Sequence, residues 1–162
     1  MAFRPEGPVR AFRIADSRHP LFDGTGAFLN GGRWNRKGQR VIYAALTYAG
    51  SLLEIFAHSN LGRIPKTHAF IEISIPRDMA IEYVRIEEVP DWDAADMLAA
   101  REFGDGWYRD RRTAVLVVPS MVTCGMESNV VINQTHPEFE LIAATDPAPV
   151  KWDPRVVRDS KR

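Results

Sequence analysis

A chain of 162 residues, 45% of them hydrophobic and 26% charged, has the size and apolar content of one domain spanning residues 1–162. Lysine plus arginine equals aspartate plus glutamate at 21 each, a formal net charge of zero. That balance argues against a chain that grips nucleic acid mainly by neutralising phosphates, so no direct nucleic-acid binding is expected.

Cys124 is the single cysteine, which rules out an internal disulfide framework and points to a reducing compartment. Met1 to Phe12 lacks the apolar core of a signal peptide, and no apolar run is long enough to cross a bilayer. The cytoplasm is the expected location, with no membrane association.

In chain order, Val9 to Ala15 reads as a first strand. Phe22 to Asn35 carries Gly24, Gly26, Gly31 and Gly32 and reads as a loop. Val41 to Ala45 is a short apolar strand, and Thr47 is suited to cap a helix over about Tyr48 to Asn60. Leu52, Leu53, Ile55 and Phe56 give that helix an apolar face, while Thr47, Ser51, Glu54 and His58 form a narrow polar stripe that must meet solvent or a cleft. Ala69 to Ile75 and Ala80 to Ile86 alternate as half-buried strands. Asp93 to Arg101 reads as a helix broken by Gly104 and Gly106 before Trp107 to Arg111. Ala114 to Val118 reads as a buried central strand ended by Pro119. Val130 to Ile132 and Glu140 to Ala143 are shorter strand candidates, and prolines punctuate the tail from Pro147. Strands and helices without strict alternation predict an α+β class.

Several residues have the chemistry for a site. Arg33 follows Gly31 and Gly32, so a guanidinium able to clamp a phosphate lies where the backbone can approach a ligand. Alone this reads better as a surface turn whose arginine pairs with a carboxylate, and it lacks the helix that follows a dinucleotide-binding glycine fingerprint. Tyr43 lies ten residues later on a strand, and Glu54 eleven residues further on a helix; core packing and a solvated face are their ordinary roles. Ser120 ends the long apolar strand, without the glycine elbow of a serine hydrolase. The four histidines show no metal-ligand spacing with one another or with Cys124, so no metal site is expected.

Together these pieces resemble the RES domain, named for an arginine, a glutamate and a serine that match Arg33, Glu54 and Ser120. The resemblance runs from Phe12-Arg13 through Gly31-Gly32-Arg33-Trp34-Asn35, Val41-Ile42-Tyr43-Ala44-Ala45 and Leu52-Leu53-Glu54. It continues in Val118-Pro119-Ser120, Asn129-Val130-Val131-Ile132-Asn133, His136-Pro137 and Trp152-Asp153-Pro154-Arg155. Gln134 departs from the family's usual proline, a difference confined to a turn.

The resemblance implies a compact mixed β-sheet core with surrounding helices, like that of ADP-ribosyltransferases. It implies the toxin of a type II toxin–antitoxin pair, with an Xre-like antitoxin partner occluding the active site. NAD+ is then the substrate, with no prosthetic group, and its nicotinamide–ribose bond is cleaved in the manner of a glycohydrolase or phosphorylase. Glu54, Arg33 and Tyr43 are the expected catalytic residues; Arg33, Tyr43, Ser120 and Asn35 are expected to bind substrate. Transfer of ADP-ribose to a protein, or a non-catalytic partner-binding module, are the alternative expectations.

Overall fold

The computed structural model describes residues 2–3, 7–59 and 66–156. Among these residues nine strands form one mixed sheet: β1 (Ala2–Phe3), β2 (Val9–Asp16), β3 (Val41–Ala45), β4 (His68–Ile75), β5 (Ile81–Tyr83), β6 (Val115–Pro119), β7 (Ser128–Asn133), β8 (Ala143–Ala144) and β9 (Ala148–Pro149). Their order is β1-β5-β6-β7-β3-β2-β4-β8, with β9 also on β4. Among the described residues only β5 and β6 run parallel. With α1 (Thr25–Asn30), α2 (Tyr48–His58) and α3 (Leu98–Arg109), the α+β class expected of the sequence is borne out.

Period-two alternation decides which side chains meet. Ile42, Val115, Val117, Val130 and Ile132 join Ala11, Ile71, Ile73 and Ile75 in one core cluster. The intervening Val41, Leu116, Val118 and Val131 pack with Trp34, Trp92 and Trp107 on the opposite face. Strand β6 is therefore buried on both faces, which is why its sequence is an unbroken apolar run.

The sheet parts between β2 and β3. Strand β2 pairs with β4 along its whole length, from Val9↔Ile75 to Asp16↔His68, but with β3 only at Phe12↔Ala45. A backbone carbonyl released by such a split needs another donor. Arg13 supplies it, donating from Nη1 to the Tyr43 carbonyl at 2.8 Å and from Nε to the Leu21 carbonyl at 2.7 Å.

Several sequence expectations need correction. The glycine-rich segment is not all loop, because Thr25–Asn30 forms α1 within it, closed by the Gly31 N–H on the Ala27 carbonyl. The strand expected over Ala80 to Ile86 stops at Tyr83; Arg85 then donates its N–H to Glu88, which starts a 3-10 turn over Ile86–Glu88. Of the strand expected over Glu140 to Ala143, Glu140 and Leu141 end a 3-10 turn over Pro137–Leu141, in which His136 accepts from the Glu138 N–H, and Ala143 opens β8.

The largest difference is α3. It begins at Leu98, not Asp93, and runs through Gly104 and Gly106. Ala100, Gly104 and Trp107 form its buried face, spaced at the helical period. A Cβ on Gly104 would lie 1.9 Å from the Trp34 carbonyl oxygen. That glycine admits the Trp34 backbone instead of breaking the helix. Asn60, the expected end of α2, lies outside the described residues.

Candidate active site

Beside the parting of β2 from β3 lies a cavity of about 780 Å³, whose walls include Arg13, Gly32, Arg33, Tyr43, Glu54, His58, Arg101 and Asn129. Arg33, Tyr43 and Glu54, spread over 22 residues of sequence on a loop, a strand and a helix, thus face one space. A smaller cavity of about 180 Å³ adjoins it, sharing Arg13, Tyr43, Glu54, His58 and Asn129.

Each side chain is held by local structure. Thr47 caps α2 by accepting from the Gly50 N–H at 2.9 Å. The capped helix presents Glu54 and, one turn on, His58, with His58 Nε2 3.8 Å from Glu54 Oε2. The other carboxylate oxygen is tied down. Glu54 Oε1 accepts from Asn129 Nδ2 at 2.7 Å and from Ser120 Oγ at 3.3 Å. Val118 pairs with Asn129 in the β6–β7 ladder, which brings Asn129 close to Ser120 at the end of β6.

Tyr43 is fixed at its hydroxyl, which donates to Asn35 Oδ1 at 2.9 Å and accepts from the Trp34 N–H at 3.0 Å. Burial pushes the Tyr43 phenol well above its ordinary pKa, against weaker downward pulls from the Trp34 N–H and from the Arg101 and Arg33 cations. The ring therefore acts as a neutral phenol. Gly32 must be glycine here, since a Cβ would lie 2.7 Å from the Tyr43 hydroxyl and 2.8 Å from Asn35 Oδ1.

Arg33 is anchored by Nη1 on the carbonyls of Trp92 and Ala94, at 2.9 and 2.8 Å. Its Nε and Nη2 have no protein acceptor among the described residues. Arg101, on α3, donates from Nε to the Gly32 carbonyl at 3.1 Å.

Two expected ligand contacts are not on the cavity wall. Ser120 is 2% exposed and its hydroxyl is spent on Glu54. Asn35 is fully buried; its Nδ2 serves the Ala27, Arg36 and Gln39 carbonyls while its Oδ1 takes the Tyr43 hydroxyl. Both lie behind the residues that line the cavity. Among the lining residues, Arg13, Arg101 and Asn129 had no role expected from the sequence. Asn129 and Arg13 lay within the RES-like motifs, whereas Arg101 lay on a helix whose buried face the two glycines obscured.

Among the described residues, no group of three or more His, Cys, Asp or Glu could hold a metal ion. No helix among them is long and apolar enough to cross a membrane.

The RES domain family matches residues 10–153. The chain belongs to the RES family. It is 35% identical over 139 residues to the "Prs ADP-ribosylating toxin" of Sphingobium sp., covering 83% of this chain and 86% of that one. It is 30% identical over 132 residues to "Toxin Res" of Photorhabdus laumondii, covering 79% and 83%. Its fold is shared with a chain of the M. tuberculosis MbcT–MbcA toxin–antitoxin complex, at a TM-score of 0.71 and 17% identity over 91% of this chain and 86% of that one. These relatives bear out the expected family and the toxin class of this RES protein.

Proposed function

We propose that this RES protein is the toxin of a toxin–antitoxin pair and acts by breaking the nicotinamide–ribose bond of NAD+. The observation that carries the reading is the shared cavity: a cation, a neutral aromatic ring and a carboxylate held by Ser120 and Asn129 face one space. Its volume lies within the ~300–1,000 Å³ usual for small-molecule and cofactor sites. The family resemblance and the name of the Sphingobium relative support NAD+ as substrate, since ADP-ribosylation consumes it.

In this reading the electron pair of the C1′–N bond leaves with nicotinamide, neutralising the pyridinium, and positive charge develops on the ribose as in glycoside cleavage. Glu54 stabilises that charge. Its Oε1 is occupied by Asn129 and Ser120, so Oε2 is the oxygen left to face the ribose. Tyr43 supplies an aromatic face for the cationic ring. Arg33 binds the diphosphate through the N–H groups that its backbone anchors leave over. Ser120 and Asn35 act one step back, on Glu54 and Tyr43. An acceptor oxygen then bonds to C1′ and releases its proton; water, inorganic phosphate and a protein side chain all satisfy that balance.

Glu54→Gln is the test. Nicotinamide release from NAD+, followed by chromatography with and without added phosphate, should fall at least ~100–1,000-fold while the circular dichroism spectrum is unchanged. Undiminished release from the folded variant removes Glu54 from the chemistry.

The Sphingobium relative's name favours a second reading, transfer of ADP-ribose to a protein. Labelled NAD+ in lysate separates the two, with free ADP-ribose marking hydrolysis and a labelled band marking transfer. An Xre-like antitoxin that covers the cavity mouth is the partner we assign, supported by the toxin–antitoxin complex that shares the fold. Growth arrest on expression, relieved by co-expression of an Xre-like protein should one be encoded beside this chain, tests that pairing.

A further inference from the structure

The charges around the large cavity do not balance. Arg13, Arg33 and Arg101 line it, and Glu54 is the one carboxylate among the described residues that do. Arg13 already serves the Leu21 and Tyr43 carbonyls. Arg33 and Arg101 differ from it: each is anchored at one edge of its guanidinium and open at the other. Arg33 uses Nη1 on the Trp92 and Ala94 carbonyls. Arg101 uses Nε on the Gly32 carbonyl and makes a long contact from Nη2 to the Met97 sulfur at 3.4 Å. Its Nη1 has no protein acceptor among the described residues.

The two cations are linked through one backbone segment and one ring. Arg101 grips the carbonyl of Gly32, the residue before Arg33, and both guanidinium groups act on the same Tyr43 phenol. Neither forms an ion pair with a carboxylate among the described residues. Two like charges held together on a partly buried wall repel each other, and burial without a counter-charge costs stability. The arrangement is relieved by a ligand bearing two adjacent negative charges. Guanidinium forks suit phosphoryl oxygens in both geometry and charge.

We infer that Arg101 is a second diphosphate-binding residue which, paired with Arg33, selects dinucleotides over substrates that lack the diphosphate. The inference rests on the NAD+-cleaving reading of the same cavity. In it, Arg33 and Arg101 hold one phosphate each, and the diphosphate, not the nicotinamide riboside portion, provides most of the binding selectivity.

The test compares NAD+ with nicotinamide riboside, which keeps the scissile bond and lacks both phosphates. Arg101→Gln removes the charge and retains an amide N–H able to reach the Gly32 carbonyl; Arg101→Lys retains the charge. The ratio of kcat/KM for NAD+ to that for the riboside should be large in the natural protein. It should fall about 10–150-fold in Arg101→Gln, the loss of one charge-assisted hydrogen-bonding group, chiefly through KM for NAD+. Arg101→Lys should restore much of the ratio. A ratio in Arg101→Gln equal to that of the natural protein, or equal losses on both substrates, overturns the inference. A folded natural protein that releases nicotinamide from neither substrate instead overturns the underlying reading. Should Arg101→Gln not fold, Arg101→Met is measured in its place with the same two outcomes, and inorganic pyrophosphate that fails to compete with NAD+ in the natural protein overturns the inference.

Discussion

Glu54 illustrates how one side chain acquires two distinct oxygens. Its Oε1 accepts from Asn129 at 2.7 Å and Ser120 at 3.3 Å, while Oε2 lies 3.8 Å from an exposed histidine. Hydrogen bonds to a charged group are worth about 1.5–3 kcal/mol, so the shorter bond should dominate the positioning. Asn129→Ala is expected to lower kcat for nicotinamide release about 10–150-fold, with KM for NAD+ nearly constant, and Ser120→Ala to cost less. Residues that act through one carboxylate are strongly non-additive. In a Glu54→Gln background, Asn129→Ala should therefore cost almost nothing further; a full additional loss there would show that Asn129 works independently of Glu54. The sequence disclosed Glu54 through its apolar neighbours and polar stripe, and Arg33 through its glycines. It did not separate residues that touch the cavity from those behind it. That distinction depends on whether Ser120 and Asn35 find protein partners, which is a fact of tertiary packing.

The same boundary runs through the elements. Strand β3 was legible from Val41 to Ala45, and the start of α2 from Thr47, because an apolar run and a capping hydroxyl act within a few residues. Helix α3 was misplaced because glycine inside a helix is ordinarily unfavourable, and nothing local reveals that the Trp34 backbone presses against Gly104. The two glycines should therefore respond oppositely to alanine. A Cβ at position 104 meets a backbone oxygen at 1.9 Å, whereas one at 106 meets only the Arg112 side chain at 3.6 Å. Gly104→Ala is expected to destabilise the protein by about 3 kcal/mol, the upper end for overpacking, and to weaken NAD+ binding by shifting the strand of residues around Arg33. Gly106→Ala should stabilise it by about 0.5–1 kcal/mol through helix propensity. Urea unfolding of the two variants checks both signs, and equal effects would contradict the packing argument.

At the scale of the whole molecule, a formal charge of zero conceals a local excess of cations around the cavity. Overall composition could not show that excess, because the arginines come from β2, the glycine-rich loop and α3. The opening between β2 and β3 was equally illegible: two adjacent strands that pair at a single position read in sequence like any other two strands. Such a preformed cavity, with anchored side chains on several elements, links ligand binding to global stability, because NAD+ has no comparable site on the unfolded chain. The Glu54→Gln protein, which should bind without turnover, isolates this effect. At NAD+ about 100-fold above its dissociation constant the stabilisation should be about 2.7 kcal/mol. For a domain of this size that corresponds to a rise in Tm of roughly 5–11 °C. Nicotinamide riboside, unable to bridge Arg33 and Arg101, should give a smaller shift at the same concentration. A folded Glu54→Gln protein whose Tm is indifferent to NAD+ at every concentration would mean that these residues, although gathered around one cavity, do not form a dinucleotide site.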